Sequence, residues 1–222
     1  NAASNNRERK KRALKSVEQY LVDWKYGIIK LFSPSFAESE QEPGYVKAYP
    51  RGLRENGGQY THGAVWYAMA VLLSGDTETG SRLLQILNPA ARYQNEIQKN
   101  AYQLEPYYMA ADIYTNPNAY GRGGWSMYTG AAGWYYKTAV ECLLGIRVLF
   151  DKVVLSPSLP KEWDGFSAML KLRSTTIEIT VQRSAHAGLY DNGIVQQDNS
   201  IPLDGGRHQI LLNLCDAHNP EL

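Results

Sequence analysis

The run Arg54-Glu55-Asn56-Gly57-Gly58-Gln59-Tyr60-Thr61-His62 marks the place where a long loop gives way to a helix. Glycine and proline interrupt residues 27 to 60 too often for a helix to form there. From Thr61 through Leu73 apolar residues recur at helical spacing, and Gly75 follows the last of them. We therefore predict an ordered loop that leads directly into a helix. Long ordered loops in compact domains are commonly functional.

Helical periodicity also occurs on both sides of this run. Asp76 or Thr77 can cap the second of two helices joined by a tight turn, and Asn88-Pro89 ends it. Pro106 suits the first turn of another helix, and Gly145 closes a long one. The predicted helices are Arg9 to Trp24, Thr61 to Leu73, Thr79 to Leu87, Tyr107 to Tyr114 and Thr129 to Leu144.

After Arg147 the apolar pattern changes to alternation, which is typical of strands. The predicted strands are Lys152 to Leu155, Met169 to Arg173, Thr176 to Val181 and His208 to Leu214. The sequence thus predicts a mainly α chain with a small β part. We place a helical region at residues 9–147 and an antiparallel β-sheet subdomain at 148–222, and we interpret residues 1–8 as a polar linker or a remnant of cloning.

The composition is that of an ordinary folded protein. Of 222 residues, 44% are hydrophobic and 20% are charged, which favours neither disorder nor a membrane-embedded chain. The formal net charge is +1, and the basic run at residues 7–12 suits a solvated helix face, so we expect no nucleic-acid partner. Cys142 and Cys215 are far apart in sequence and are expected to be reduced, which indicates a cytoplasmic setting.

The aromatic residues are mostly those with a polar group, Tyr 16 and Trp 5 against Phe 4. Such rings can stack on the apolar C–H face of a pyranose and hydrogen-bond its hydroxyl groups. The counts therefore favour a sugar site, although an aromatic-rich core explains them equally well. In the loop, Gly57-Gly58 would let the backbone approach a ligand closely.

Two helix starts are candidate anion sites. His62 lies in the first turn of the helix after the loop, and Thr129-Gly130 begin a later helix, so backbone N–H groups meet a polar side chain at each. Phosphate suits both places, although His62 can also be a buried, hydrogen-bonded histidine of a capped helix. No metal is expected, because the four histidines have no ligand spacing: His62, His186, His208 and His218.

Three carboxylates, Glu55, Glu105 and Asp112, lie in the stretches richest in glycine and aromatic residues. Hydrolysis of a glycosidic bond ordinarily needs two carboxyl groups. Phosphorolysis needs only a proton donor, because phosphate itself attacks the anomeric carbon. A hydrolase that pairs Glu55 with Glu105 would hold their carboxyl groups about 6.5–9.5 Å apart for inversion.

At three motifs the sequence resembles the inverting phosphorylases of glycoside hydrolase family 94, which are six-hairpin glycosidases. The motifs are Pro43 to His62, Glu105-Pro106-Tyr107 and Gly121-Arg122-Gly123-Gly124-Trp125, and they look closest to the cyclic β-1,2-glucan synthase and β-1,2-oligoglucan phosphorylase branch. The resemblance runs from residue 9 to residue 181. It implies that the helical region is a fragment of an (α/α)6 barrel and that the β part follows this barrel.

The resemblance also implies roles for individual residues. His62, Thr129 and Gly130 would bind phosphate, and Arg54 and Glu55 would contact the acceptor-side sugar. The rest of the expected substrate-binding set is Gln59, Tyr60, Glu105, Arg122 and Trp125. Inorganic phosphate would be the co-substrate, without a further cofactor, and a β-glucan oligosaccharide would be the substrate, in bacterial carbohydrate metabolism.

In this family the general acid is an aspartate upstream of the matched region, so we expect no catalytic residue in this chain. The predicted helices are too few to close a barrel, so the expected partner is the N-terminal part of the same protein or a second copy of the chain. Two functions stay open. One is part of an inverting phosphorylase, or of a synthase tethered to the inner membrane by upstream domains. The other is a noncatalytic module that binds glucan or controls its length.

Overall fold

The computed structural model describes residues 6–127 and 129–215, with Thr129 described by its backbone alone. The chain divides into unit 1, Asn1–Ala139, and unit 2, Val140–Leu222. This division lies upstream of the boundary that we placed at residue 147. Val140 and Leu144 pack against the buried strands of unit 2, so the end of the last helical segment belongs to that core.

α1 (Arg7–Leu21) begins inside the segment that we interpreted as a linker. Asn6 caps this helix, because its side-chain Oδ1 accepts a hydrogen bond from Arg9 N at 2.9 Å. Residues 1–5 lie outside the described part of the chain. No residue of α1 is buried within unit 1 as described, although the helix is amphipathic.

α2 (Thr61–Leu73) has the predicted bounds, and α3 (Thr77–Leu87) begins slightly earlier than predicted. Gly75 adopts a φ of 92° in the turn, and Asp76 Oδ1 accepts from Thr79 N at 3.1 Å to cap α3. A Cβ on Gly80 would lie 2.6 Å from the Leu72 side chain, so this glycine allows the two helices to approach closely.

α2 is apolar on more than one side. Ala64, Val65 and Ala68 are buried, whereas Trp66 and Leu73 are 49% and 62% exposed. A helix that is hydrophobic all round is typical of a position covered on every side. Neither α2 nor another helix in the described ranges is long and apolar enough to cross a membrane.

Short strands connect the helices of unit 1. β1 (Val22–Asp23) pairs with β2 (Ile28–Ile29), and a second antiparallel sheet consists of β3 (Gln59–Tyr60), β4 (Asp112–Ile113) and β5 (Gly123–Gly124). Tyr60, Asp112 and Gly124 lie opposite one another in this second sheet. It therefore brings the segment before α2 together with two segments that lie much later in the sequence.

The helix predicted over Tyr107 to Tyr114 was wrong. β4 occupies the end of this stretch, because its backbone groups pair with β3 on one side and β5 on the other. The pattern also did not reveal two short helices, α4 (Pro89–Arg92) and α5 (Glu96–Tyr102). Each follows a capping asparagine, Asn88 or Asn95.

Arg92, at the end of α4, is 1% exposed and fixes the loop that precedes β2. Its guanidinium donates to the carbonyl oxygen of Tyr26 at 3.1 Å and also to that of Gly27. The Cζ atom lies 5.2 Å from the centroid of the Tyr102 ring. Burial lowers the pKa of Arg92 to about 10, which leaves it a cation at neutral pH. The buried Arg92 side chain thereby joins α4 to α5 and to the loop before β2.

α6 (Thr129–Thr138) begins where predicted and continues into a π-helical turn, Ala139–Leu143. The hydroxyl of Tyr135 donates to the carbonyl oxygen of Leu84 at 3.1 Å, which joins α6 to α3. The change from α to π geometry coincides with the division between the units.

Unit 2 is a β structure. Its strands are β6 (Ile146–Val148), β7 (Lys152–Leu155), β8 (Gly165–Leu172), β9 (Thr175–Ser184), β10 (Gly188–Asp191), β11 (Ile194–Val195), β12 (Ser200–Pro202) and β13 (Arg207–Cys215). Among the described residues they form one sheet in the order β12-β7-β6 and another in the order β11-β10-β13-β9-β8.

The prediction of an antiparallel β part was wrong for one pair of strands. β13 runs parallel to β9, with Ile210 opposite Ile179 and Leu212 opposite Val181. The pair is parallel because the connection between them passes through β10, β11 and β12 and does not turn back directly. Side chains from both strands alternate into the core of unit 2, where Ile177, Ile179 and Leu212 are buried.

Candidate functional site

The loop before α2 brings Arg54 onto Asp112 of β4. Arg54 Nε donates to Asp112 Oδ2 at 3.1 Å, and Asp112 is 2% exposed. Burial alone would lower the pKa of the Arg54 guanidinium, but hydrogen bonds to Tyr49 and Asp112 outweigh it and raise this pKa. Arg54 is therefore a permanent cation held in a fixed position.

Arg54 also stacks on aromatic rings. Its Cζ lies 3.9 Å from the Trp125 ring centroid and 5.6 Å from that of Tyr49. Arg54 and Trp125 both adopt left-handed backbone conformations, with φ of 43° and 54°. Such conformations cost a non-glycine residue about 1–3 kcal/mol each and cluster at ligand sites. Trp125 remains 61% exposed, so one face of this stack can receive a ligand.

Glu55 adds a second carboxylate beside Asp112. Burial raises the pKa of Asp112, and the charge of Glu55 raises it further. The hydrogen bond from Arg54 lowers this pKa but does not cancel the rise. The charge of Glu55 thus makes ionisation of Asp112 less favourable. Glu105 is in a different environment, since it is exposed and its charge acts on Tyr102. The carboxylate that the structure sets against Glu55 is Asp112.

His62 lies in the first turn of α2 among aromatic rings. Its ring centroid is 5.0 Å from that of Trp66, and the Tyr60 and Trp134 centroids are each 6.1 Å away. The Trp66 and Trp134 rings are 5.5 Å apart, so α2 and α6 pack against each other here. The residue before α2 is Tyr60, whose side chain does not cap the helix. The backbone N–H groups of the first turn are therefore not capped by this side chain, and such groups attract anions.

Three buried polar atoms on the loop, the first turn of α2 and β4 have no hydrogen-bond partner within the described ranges. They are Glu55 Oε2, His62 Nε2 and Asp112 Oδ1. Leaving such an atom unpaired costs about 1–3 kcal/mol, and native proteins rarely leave several together without a ligand or solvent to satisfy them. The geometry therefore indicates a binding site for a molecule with several polar groups.

The loop that carries Arg54 and Glu55 is held by its own backbone. A Cβ on Gly58 would lie 2.7 Å from both Arg54 N and Gly52 O. Asn56 accepts a hydrogen bond from Phe36 N and donates one to Tyr49 O, both at 2.7 Å. Gly58 thus allows the loop to fold tightly on itself, a different role from the expected close approach of a ligand.

Gln59 lies beneath the site and does not reach its surface. It is fully buried, and its Oε1 accepts from Ile29 N at 2.7 Å while its Nε2 donates to Thr61 Oγ1 at 3.0 Å. Both ends of the amide are thus used to join β2 to the start of α2. This geometry assigns Gln59 to positioning the loop, and its expected sugar contact stays a prediction.

The other residues predicted from the sequence do not all lie beside Arg54. Arg122 is exposed and lines a different cleft, beside Tyr120. Gly130 lies at the start of α6, on the helix that also carries Trp134. The side chain of Thr129 and all of His218 lie outside the described part of the chain.

Sequence reasoning did not select Tyr49, Trp66 or Trp134 for this site. Two of these residues could have been found from the sequence, because a spacing of four residues places them on the same helix face as a predicted phosphate ligand. Trp66 lies four residues after His62, and Trp134 lies four residues after Gly130. Tyr49 has no such local signal, because only the folded loop brings it to Arg54.

No group of three or more His, Cys, Asp or Glu side chains that could hold a metal ion occurs in residues 6–127 and 129–215. Cys142 and Cys215 are free thiols. The charged and aromatic groups of unit 1 are therefore those of a site for a polar organic molecule and an anion.

Comparison with known proteins identifies the family of the chain. Residues 2–145 match the model of the Glycosyl hydrolase 94 superfamily catalytic domain. The chain therefore belongs to this family, which confirms the resemblance seen in the sequence. The matched stretch holds the loop, α2 and α6, which together carry the site.

Individual relatives are glucan synthases and phosphorylases. The chain is 43% identical over 196 residues to the cyclic beta-(1,2)-glucan synthase NdvB of Rhizobium meliloti, a match covering 88% of the chain and 7% of the synthase. It is 29% identical to N,N'-diacetylchitobiose phosphorylase of Vibrio furnissii, covering 90% and 24%. Identity to 1,2-beta-oligoglucan phosphorylase of Listeria innocua is 28%, covering 63% and 14%. The chain thus spans at most a quarter of these relatives.

Proposed function

We propose that unit 1 binds phosphate and the acceptor-side sugar of a β-glucan for phosphorolysis. The observation that carries this proposal is that Glu55, His62 and Asp112 each have a buried polar atom without a partner within the described ranges. An oligosaccharide and phosphate together supply both the hydroxyl donors that the carboxylates need and the acceptor that an imidazole N–H needs. Relatives named as phosphorylases support the same reaction class.

His62 is the proposed phosphate ligand of α2. Its Nε2 is buried at the first turn, where the helix dipole favours an anion, and in its protonated form this nitrogen donates to a phosphate oxygen. Thr129 and Gly130 begin α6, which packs on α2 through Trp134 and Trp66, so they are the proposed second half of the cradle. Phosphate bound between two helix starts would attack the anomeric carbon directly.

Arg54, Glu55 and Trp125 are the proposed sugar contacts. The exposed face of Trp125 can stack on a pyranose ring, and Glu55 can accept hydrogen bonds from its hydroxyl groups. Asp112 fixes Arg54, and its unpaired Oδ1 adds an acceptor. Because the relatives are far longer than this chain, we propose that the general acid comes from residues outside it.

We also propose that the helices of unit 1 are part of an (α/α)6 barrel. Two features support this. α1 has no buried residue, and α2 exposes Trp66 and Leu73 on a second apolar side. Both faces would be covered by the remaining helices of a longer protein. If the longer protein is a glucan synthase, unit 1 would act on the glucan which that synthase makes.

Thermal melting with inorganic phosphate tests this proposal. At ten times its Kd, phosphate should stabilise the chain by about 1.4 kcal/mol and raise Tm by about 3–6 °C. His62→Ala should abolish the shift, whereas His186→Ala, at an exposed histidine of unit 2, should keep it. An unchanged wild-type melt in millimolar phosphate would exclude the phosphate site. A shift with glucan alone would then favour the noncatalytic module.

A further inference from the structure

Unit 1 has a second cleft apart from the site at Arg54. Its volume is about 360 Å³, at the small end of the range for organic ligands. The cleft lies where the end of α5 meets the segment between β4 and β5. Its polar and aromatic lining consists of Tyr26, Asn100, Gln103, Asn118, Tyr120 and Arg122.

Three polar side chains of this cleft have no partner within the described ranges. Neither the Arg122 guanidinium nor the side-chain amides of Asn100 and Asn118 form a hydrogen bond or an ion pair with another residue in the described ranges. Gln103 uses only its Nε2, which donates to Asn100 O at 3.5 Å. A side-chain amide offers a donor and an acceptor side by side, as a pair of sugar hydroxyls requires.

Two tyrosines form a rigid wall of the cleft. The Tyr26 and Tyr120 rings meet edge to face, with centroids 4.8 Å apart. Asp23 holds both residues, because its Oδ2 accepts from the Tyr120 hydroxyl at 2.7 Å and its Oδ1 accepts from Tyr26 N at 3.1 Å. A wall that is already fixed loses little entropy when a ligand binds.

A second, smaller space adjoins the cleft. A space of about 260 Å³ shares Pro117 and Tyr120 with it and is also lined by Lys30, Arg51 and Thr115. Arg51 is neutralised there by Glu38, at 2.6 Å. The two spaces adjoin at Pro117 and Tyr120, and we refer to them together as the groove.

We propose that this groove is a second saccharide site, which holds a neutral segment of glucan away from the phosphate. Arg122, Asn100 and Asn118 bind ring hydroxyls, and the tyrosine wall receives a C–H face. The amides of Asn100 and Asn118 beside Arg122 offer paired donors and acceptors, as sugar hydroxyls require, and Glu38 forms an ion pair with Arg51 of the second space. The choice of glucan rests on the proposed function, whereas the groove itself does not.

Amide chemical shifts of the labelled chain, followed by NMR during titration with a β-1,2-glucan oligosaccharide, test the proposal. Wild type should show two groups of shifts, one around Tyr120 and Arg122 and one around Glu55 and His62. The variant Arg122→Ala/Asn118→Ala should lose the first group and keep the second, and Glu55→Gln should do the reverse. Arg12→Ala, at an exposed arginine of α1, should keep both.

The outcomes separate the two proposals. Shifts around Glu55 alone at saturating glucan would overturn the groove and leave the proposed function standing. Shifts around Arg122 alone would support the groove and contradict the proposed function. If inorganic phosphate alone shifts the Arg122 group, the groove is an anion site and the saccharide proposal fails.

Discussion

Arg54 Nε lies 3.1 Å from Asp112 Oδ2, across 58 positions of sequence. The contact joins the loop before α2 to the middle strand of the β3-β4-β5 sheet. On its outer side Arg54 stacks on Trp125, which follows β5. One partly buried ion pair thus sets the position of the sugar-binding groups that we propose.

Breaking this pair should destabilise unit 1. Arg54→Ala leaves Asp112 buried without its cation, and Asp112→Ala removes the anion from Arg54, so each should lower the free energy of unfolding by about 3 kcal/mol. The double variant should lose less than the sum, with a coupling of about 1 kcal/mol in urea unfolding. Arg51→Ala is the control, since its partner Glu38 is exposed and the loss should stay below about 1 kcal/mol. Strict additivity would show that the pair is not coupled.

The glycines of unit 1 should differ sharply in their tolerance of alanine. Gly58→Ala places a methyl group 2.7 Å from backbone atoms of Arg54 and Gly52, so it should lower the melting temperature and weaken glucan binding together. Gly133→Ala, in α6, meets nothing within 4 Å and should stabilise the chain by up to about 1 kcal/mol through helix propensity. Equal melting temperatures for the two variants would contradict the tight loop.

The helices and strands with strong periodicity were predictable from the sequence. α2, β7 and β9 have local patterns that tertiary structure did not override. β4 was missed because its extended form depends on pairing with β3 and β5, which no local pattern encodes. The parallel pairing of β9 with β13 was missed for a related reason, since strand direction depends on the path of the chain between them.

The candidate site was predictable where a motif carried it. The run from Arg54 to His62 identified the family, which the match over residues 2–145 confirms. The Asp112 partner of Arg54 was not predictable in the same way, because the contact depends on the fold. The residue roles for phosphate and sugar stay predictions.

His208 gives unit 2 a pH-dependent contact. Its Nδ1 lies 2.7 Å from Asp191 Oδ2 and its Nε2 lies 3.2 Å from Asp204 Oδ1. Burial lowers the pKa of His208, but the hydrogen bonds and charges of the two aspartates outweigh it and raise the pKa above the ordinary 6.5. The folded state therefore binds the His208 proton more tightly than the unfolded chain does.

This linkage has a definite sign. The stabilisation should be complete below about pH 6.5 and should be lost as the pH rises through the raised pKa of folded His208. In urea unfolding, the stability difference between wild type and His208→Gln should shrink as the pH rises above 6.5, and His186→Gln, at an exposed histidine, should show no such trend. A stability difference between wild type and His208→Gln that grows with pH would contradict a raised pKa of folded His208.

The most direct test of the phosphate site is a crystal structure of the chain with saturating inorganic phosphate. A phosphate oxygen should lie about 2.7–3.2 Å from His62 Nε2, with the start of α6 at Gly130 facing the same ion. An ordered His62 whose Nε2 contacts only protein or water, with phosphate bound elsewhere or absent, would contradict the proposed function.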